Sequence, residues 1–248
     1  MENENMIFGI RALIEAIRSG KTIEKVLIRN GLDNELFLEL FHHVREAKIP
    51  FQYVPVEKLN RITRKNHQGV IAYVSPVEYQ SIEGILPVLF ESGQVPLLII
   101  ADQVTDVRNF GAIARSSECG GVHALIFPEK GSAAINADAV KTSAGALHHL
   151  PVCRTSNLSR TVRFLKDSGI RILAASETAE TLFTETDMKV PVAIIVGSEE
   201  SGISQAVMQL ADETVKIPIL GQVQSLNVSV AAALMIYEAI RQRGMVQM

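Results

Sequence analysis

The sequence predicts an α/β protein of two unequal parts, a small mixed unit followed by a larger, mostly parallel sheet covered by helices. Three observations predict it. The chain has 248 residues, longer than a typical single domain and enough to bury a proper core. From Leu97 on, short apolar strand candidates recur at residues 97–101, 124–127, 170–174 and 192–196, with longer helical patterns between them, as expected of strands buried on both faces. The stretch 76–96 carries boundary prolines Pro76 and Pro96, Gly84, Gly93 and one short apolar segment, the composition of a linker with a helical piece.

The first part, residues 1–75, alternates helix and strand patterns. An amphipathic run at 10–17 stops at Gly20, and residues 26–28 read as a strand. Asp33 is placed to cap a second helix running to Ala47. A strand at 51–54, a short helix at 57–62 and a strand at 70–74 complete the unit. Residues 76–96 are the expected linker and 97–248 the second domain.

Composition narrows the function. Apolar residues make up 47% and charged residues 21% of the chain, a globular balance without a disordered signature. The longest apolar runs fall far short of the roughly 20 residues a membrane helix needs. Glu2 and Glu4 precede no continuous apolar stretch, unlike the basic start of a signal peptide, so a cytoplasmic protein without a membrane partner is expected. Cys119 and Cys153 have neither metal-ligand nor disulfide spacing and read as buried small hydrophobes. The adjacent pairs His42/His43 and His148/His149 point different ways on any regular element, so no metal site is expected.

Charge is unevenly distributed. Residues 1–75 carry 11 Lys/Arg against 9 Asp/Glu and the remainder 13 against 18, a balance of +2 and −5. Lys58, Arg61, Arg64 and Lys65, beside His67 and Gln68, form the densest basic stretch. It reads equally as a phosphate-contacting edge or as a solvated helix face.

Two nucleotide motifs fail. Ser19-Gly20-Lys21-Thr22 imitates the end of a P-loop, but Glu15 stands where the first glycine belongs and no strand precedes it. No G-x-G-x-x-G occurs, which disfavours a dinucleotide cofactor. Three turns after strands remain. The strand 97–101 is followed by Asn109, a good N-cap, and by Gly111, Ala112 and Ala114, which leave the first helical turns bare enough for something large to approach. Arg115 in this small, apolar segment requires a carboxylate or a phosphate; Glu118 and Glu199 are the candidates within the chain. The strand 192–196 runs into Gly197-Ser198-Glu199-Glu200-Ser201-Gly202. Its two carboxylates suit a neutral or cationic ligand, but taken alone it reads first as an ordinary strand-to-helix turn with Glu near a helix N-terminus. After a strand at 214–217, Ser225 or Asn227 is placed to cap a helix from Val228 to about Arg243. That helix opens Val-Ser-Val-Ala-Ala-Ala-Leu-Met-Ile, apolar on nearly every face, so core or a partner must cover it, and a homodimer is expected.

Together the three turns resemble the SpoU (TrmH) family of RNA ribose 2′-O-methyltransferases, of the SPOUT class. The first family motif resembles Asn109-Phe110-Gly111-Ala112-Ile113-Ala114-Arg115, the second Gly197 to Gly202, and the third Ile217-Pro218 with Ser225-Leu226-Asn227-Val228-Ser229. Lys141 to Ala146 and Asn157-Leu158 match the middle region. Ile7-Phe8-Gly9-Ile10, Ala16-Ile17 and His67-Gln68-Gly69 resemble the N-terminal substrate domain of the RlmB subgroup. The family often has Asp-Pro before its first motif, whereas Asp106 here precedes Val107. The resemblance implies a parallel-sheet SPOUT domain with a C-terminal trefoil knot, preceded by a small α/β RNA-binding domain. It implies methylation of a guanosine in the peptidyl-transferase region of large-subunit (23S) ribosomal RNA; transfer RNA methylation and a non-catalytic ribosome-assembly role are the alternatives. S-adenosylmethionine is the implied methyl donor, held by main chain at Gly197, Ile217 and Leu226 with Ser225 nearby. Asn109, Arg115, Glu199, Ser225 and Asn227 are the implied catalytic group, with Glu199 fixing Arg115. Lys58, Arg61, Arg64, Lys65 and Arg108 are the expected RNA contacts.

Overall fold

A computed structural model describes residues 5–244; Glu2 and Glu4, on which the absence of a signal peptide was expected, lie outside them. The chain divides between Glu78 and Tyr79 into two compact units.

The first unit runs β1 (Met6–Phe8), α1 (Ile10–Arg18), β2 (Ile23–Arg29), α2 (Glu35–Glu46), β3 (Phe51–Val54), α3 (Val56–Ile62) and β4 (Val70–Val74). Its sheet has the order β1-β4-β2-β3, with β4 antiparallel to β1 and β2, and β3 parallel to β2. One sheet face is covered by Leu13 and Ile14 of α1 and Phe37, Leu40 and Val44 of α2, packed with Val26, Ile28, Val70 and Ala72. On the other, Leu59 of α3 packs with Leu27, Val54 and Ile71. The cap of α2 is Asn34 and not Asp33: its side-chain oxygen accepts from Phe37 N at 2.9 Å, the three-residue reach an N-cap requires. Ser19-Gly20-Lys21-Thr22 lies between α1 and β2 and ends the helix, with Ser19 as its C-cap.

The second unit comprises α4 (Ile82–Glu91), β5 (Leu97–Ala101), α5 (Val107–Cys119), β6 (Ala124–Pro128), α6 (Ala137–Thr142), a 3-10 turn (Ala146–His148), β7 (Val152–Thr155), α7 (Leu158–Asp167), β8 (Arg171–Ala175), β9 (Thr181–Leu182), β10 (Val192–Val196), α8 (Gln205–Met208), β11 (Glu213–Lys216) and α9 (Val228–Arg243). Its seven strands pair throughout in parallel, in the order β7-β6-β5-β10-β8-β11-β9. Every residue of β5 and β10 is buried, which is why both read as unbroken apolar runs. Ile82 and Leu86 of α4 join Leu158, Val162 and Leu165 of α7 over one face. The stretch 79–96 is therefore part of the second unit and not a linker, because α4 buries its apolar stripe on the sheet.

On the opposite face Phe110 of α5 meets Phe127 of β6 edge-on, with ring centres 5.0 Å apart, and α9 packs against both α5 and β10. The bare first turns of α5 are filled by the chain itself. A Cβ at Gly111 would lie 2.8 Å from Thr142 Cβ and 2.9 Å from Ala139 O, so α6 is what approaches there. Cys119, expected to be buried, is exposed, while Cys153 is buried. Burial pushes the Cys153 thiol up to about 12, which leaves it protonated and inert.

The end of α9 ties down the strand entrances. Arg243 donates to the carbonyls of Met188, Val95, Pro96 and Val190 over 2.7–3.0 Å, using the fork geometry of a guanidinium. Gln242 bonds Met188 N and Thr186 O. Arg243→Lys should cost about 2–4 kcal/mol, since one ammonium cannot satisfy four fixed carbonyls and charge-assisted bonds contribute about 1.5–3 kcal/mol each. Urea denaturation measures this, and a lysine variant as stable as the parent would refute the assigned role.

Candidate functional site

Because β5, β10, β8 and β11 are parallel neighbours, their C-terminal turns emerge along one edge, where ligands of such sheets bind. At the end of β10, Ser198 and Gly202 form an antiparallel bridge through N···O contacts of 3.0 and 2.9 Å. This folds the acidic turn back on itself. A Cβ at Gly197 would lie 2.2 Å from the Gly202 carbonyl carbon, so only glycine permits the approach. The adjoining turn after β5 locks on: Asp102, buried, accepts from Ser204 N at 2.7 Å. Gln103, in the left-handed region at φ 57°, receives Ser201 Oγ at 3.4 Å.

Glu199 lies at the N-terminus of α9 and not of the helix that follows it in sequence. Its Oε1 accepts from Val228 N at 3.3 Å, from Asn109 Nδ2 at 3.3 Å and from Asn227 Nδ2. Asn227 Nδ2 also donates to Asn109 Oδ1 at 2.9 Å. Asn227 is the N-cap of α9, its oxygen accepting from Ser229 N at 3.0 Å and Ser229 Oγ at 2.6 Å. The positive end of the helix dipole favours a carboxylate at this position. Contrary to the sequence expectation, the cap of α5 is not Asn109 but Asp106, which accepts from Asn109 N at 2.8 Å. An N-cap side chain accepts from the N–H two or three residues on, and with Asp106 in that role the Asn109 side chain is left for Glu199 and Asn227.

Beside this network opens a cleft of about 420 Å³, lined by Gly197, Glu199, Glu200, Ser225, Leu226 and Glu177 among others. A smaller cavity of about 80 Å³ adjoins it through Glu177, Ser225, Leu226 and Ala231 and extends to Ile217. All four residues expected to hold the cofactor thus line one continuous depression. The sequence reading missed Glu177, Asp102 and Gln103. Each lies just past the C-terminus of a buried strand, and that rule alone marks them out.

Arg115 is placed elsewhere. It stands six residues beyond Asn109, about a third of a turn around α5, and is exposed. Among the described residues it makes no hydrogen bond or ion pair, so neither Glu118 nor Glu199 fixes it within the chain. Glu199 is engaged by the two asparagines and the α9 amide instead. Arg108, seven residues before Arg115, shares its face and is also exposed. In the first unit Lys58, Arg61, Arg64 and Lys65 are all exposed on α3 and the loop after it. The Lys65 ammonium is 5.4 Å from the Phe8 ring centre. His67 is buried; its Nδ1 accepts from Gly69 N at 3.0 Å, and its Nε2 lies 2.9 Å from Asn60 Oδ1. With Nδ1 an acceptor, Nε2 is the ring nitrogen that donates to Asn60 Oδ1.

Comparison with known proteins gives this architecture its relatives. Residues 96–237 match the SpoU rRNA Methylase family, and residues 6–80 match the family described as RNA 2′-O ribose methyltransferase substrate binding. A protein of Staphylococcus saprophyticus described as a TrmH family tRNA/rRNA methyltransferase is 36% identical over 241 residues, 97% of each chain. Among solved structures, the SpoU methyltransferase AviRb from Streptomyces viridochromogenes, in complex with AdoMet, is 25% identical; the match has a TM-score of 0.62 and covers 97% of this chain and 90% of that one. The TrmH/SpoU tRNA modifying enzyme from A. aeolicus is 34% identical with a TM-score of 0.56, over 61% of this chain and 77% of that one. With more than half of its length matched by the family model and a full-length relative above 30% identity, the chain belongs to the SpoU family of RNA methylases.

Proposed function

We propose that the chain transfers the methyl group of S-adenosylmethionine (AdoMet) to a ribose 2′-hydroxyl of RNA. We further propose that its target is a guanosine in the peptidyl-transferase region of large-subunit ribosomal RNA. The observation that carries this reading is the hydrogen-bonded group Asn109–Glu199–Asn227 at the mouth of the 420 Å³ cleft. A cavity of this size suits a ligand of the cofactor's class. Main chain at Gly197, Ile217 and Leu226, with Ser225, holds the cofactor, which supplies a methyl already activated by positive sulfur. The remaining task is to align the 2′-oxygen in line with that methyl and let its proton leave. Asn109, Glu199, Ser225 and Asn227 provide the hydrogen-bonding groups for the ribose. A guanidinium is a poor proton acceptor, so Arg115 serves to orient phosphate and ribose and not as the base. Arg108 on the same face adds a second phosphate contact.

The first unit is the RNA-binding part, with Lys58, Arg61, Arg64 and Lys65 as phosphate contacts. Supporting RNA as the ligand of this unit is the match of residues 6–80 to the family described as RNA 2′-O ribose methyltransferase substrate binding. The transfer RNA reading draws on the 34% identity to the tRNA modifying enzyme, a likeness that covers only 61% of this chain. The protein works as a homodimer in the cytoplasm: Val230, Leu234 and Tyr237 form an exposed apolar stripe on α9, at 47, 40 and 53% exposure, with the i, i+4, i+7 spacing of a helix face seeking a partner. The knotted C-terminal threading of the family belongs to the same proposal.

Purified protein assayed with AdoMet should methylate the ribose of large-subunit RNA fragments in preference to transfer RNA transcripts; the reverse preference selects the second reading. Arg115→Ala should lower methyl transfer at least about 100-fold, the scale of a lost transition-state donor, while cofactor affinity stays nearly unchanged. Normal turnover in that variant removes Arg115 from the site. Replacing Lys58, Arg61, Arg64 and Lys65 by alanine should weaken RNA binding across sequences. The salt slope of log K should become shallower by about 0.7 for each phosphate no longer neutralised; an unaltered slope would show that this stretch is only a solvated face.

A further inference from the structure

The two adjoining cavities are lined by three carboxylates, Glu177, Glu199 and Glu200, and by no lysine, arginine or histidine. Glu199 is committed through Oε1 to Asn109, Asn227 and Val228. Among the described residues Glu177 and Glu200 make no hydrogen bond or ion pair. Glu177, in the turn after β8, lines both cavities, and Glu200 lines the larger from the acidic turn. Unpaired like charges around a concave site focus a negative potential into it. They repel one another until a cation enters.

The reaction changes the charge of the ligand this potential acts on. AdoMet carries a sulfonium, an ammonium and one carboxylate, a net charge of +1. On methyl transfer the carbon–sulfur bond breaks with its electron pair remaining on sulfur. The methyl carbon bonds the 2′-oxygen, and the hydroxyl proton passes to water. The product S-adenosylhomocysteine is a neutral thioether zwitterion of almost the same shape. A field that attracts the first has little hold on the second.

We propose that Glu177 and Glu200 make the cleft select AdoMet over S-adenosylhomocysteine by charge, so that turnover itself weakens the grip on the spent cofactor. This rests on the reading that AdoMet occupies the cleft. Both residues are exposed, so isosteric carboxamides leave folding undisturbed.

The test is calorimetric titration of the full-length protein, without RNA, by AdoMet and by S-adenosylhomocysteine. The Glu177→Gln/Glu200→Gln variant should bind AdoMet about tenfold more weakly at low salt, from two screened charge pairs. Its affinity for S-adenosylhomocysteine should change less than about twofold, with Glu177→Gln alone giving part of the effect. Raising the ionic strength should shrink the parent's preference more than the variant's, which keeps only the Glu199 charge. Ala231→Trp, or Ala231→Leu if the larger side chain prevents folding, fills the cleft and should abolish binding of both ligands. If filling the cleft abolishes both but the carboxamides weaken both ligands equally or neither, charge selection is wrong and the cofactor site stands. If the filled variant binds both as the parent does, the cofactor lies elsewhere and both readings fall.

Discussion

Glu199 Oε1 accepts from Asn109 of α5, from Asn227 at the cap of α9 and from the first amide of α9, so one oxygen atom joins three turns of the sheet edge. The two asparagines are 90 and 28 residues away in sequence. Bonds to a charged acceptor contribute about 1.5–3 kcal/mol each when sheltered, less where water competes as it does here. Their main effect is therefore positional. They set the phase of α5 against α9 and hold the acidic turn over the cleft, where the α9 dipole stabilises the carboxylate.

The fold makes that convergence possible. β10 inserts between β5 and β8, elements formed earlier in the chain, so the turns after β5, β10, β8 and β11 sit side by side although their residues are dispersed over more than a hundred positions. Close approaches maintain the arrangement. Gly197 allows the acidic turn to close, and Gly120 lets Ile236 of α9 come where a Cβ would lie 2.3 Å from its methyl carbon. An added methyl would force open the acidic turn at Gly197 or displace α9 at Gly120.

Much of this was legible in the sequence, and the failures have physical causes. Strands β5, β6, β8 and β10 announce themselves because buried parallel strands are apolar on both faces. β1 and β9, with three and two residues, are too short to show a period. β7 joins two apolar residues to Arg154 and Thr155 and so lacks an unbroken run. Asp106 and Asn109 are both good caps three residues apart, and only the backbone path chooses between them. Likewise Asp33 and Asn34 differ in one position of register. The expected pairing of Arg115 with Glu199 fails on helix phase: Arg115 falls with Arg108, Ala112 and Cys119 on one side of α5, and Asn109 points to another. The same phase explains why Cys119 is exposed. Glu199 is indeed a carboxylate at a helix N-terminus, but the helix is α9, which no local pattern connects to residue 199.

The site is a sheet edge that gathers polar groups around a cleft, with Arg108 and Arg115 exposed together on one face of α5 and a substrate-binding unit ahead of it in sequence. The most direct measurement is a map of ribose 2′-O-methylation across ribosomal and transfer RNA from cells with and without this protein, and with its Glu199→Ala variant. The account predicts that one 2′-O-methyl in large-subunit ribosomal RNA disappears with the protein, returns with the parent chain and does not return to full occupancy with the variant. An unchanged ribose map, or loss of a methyl from a base instead, would contradict it.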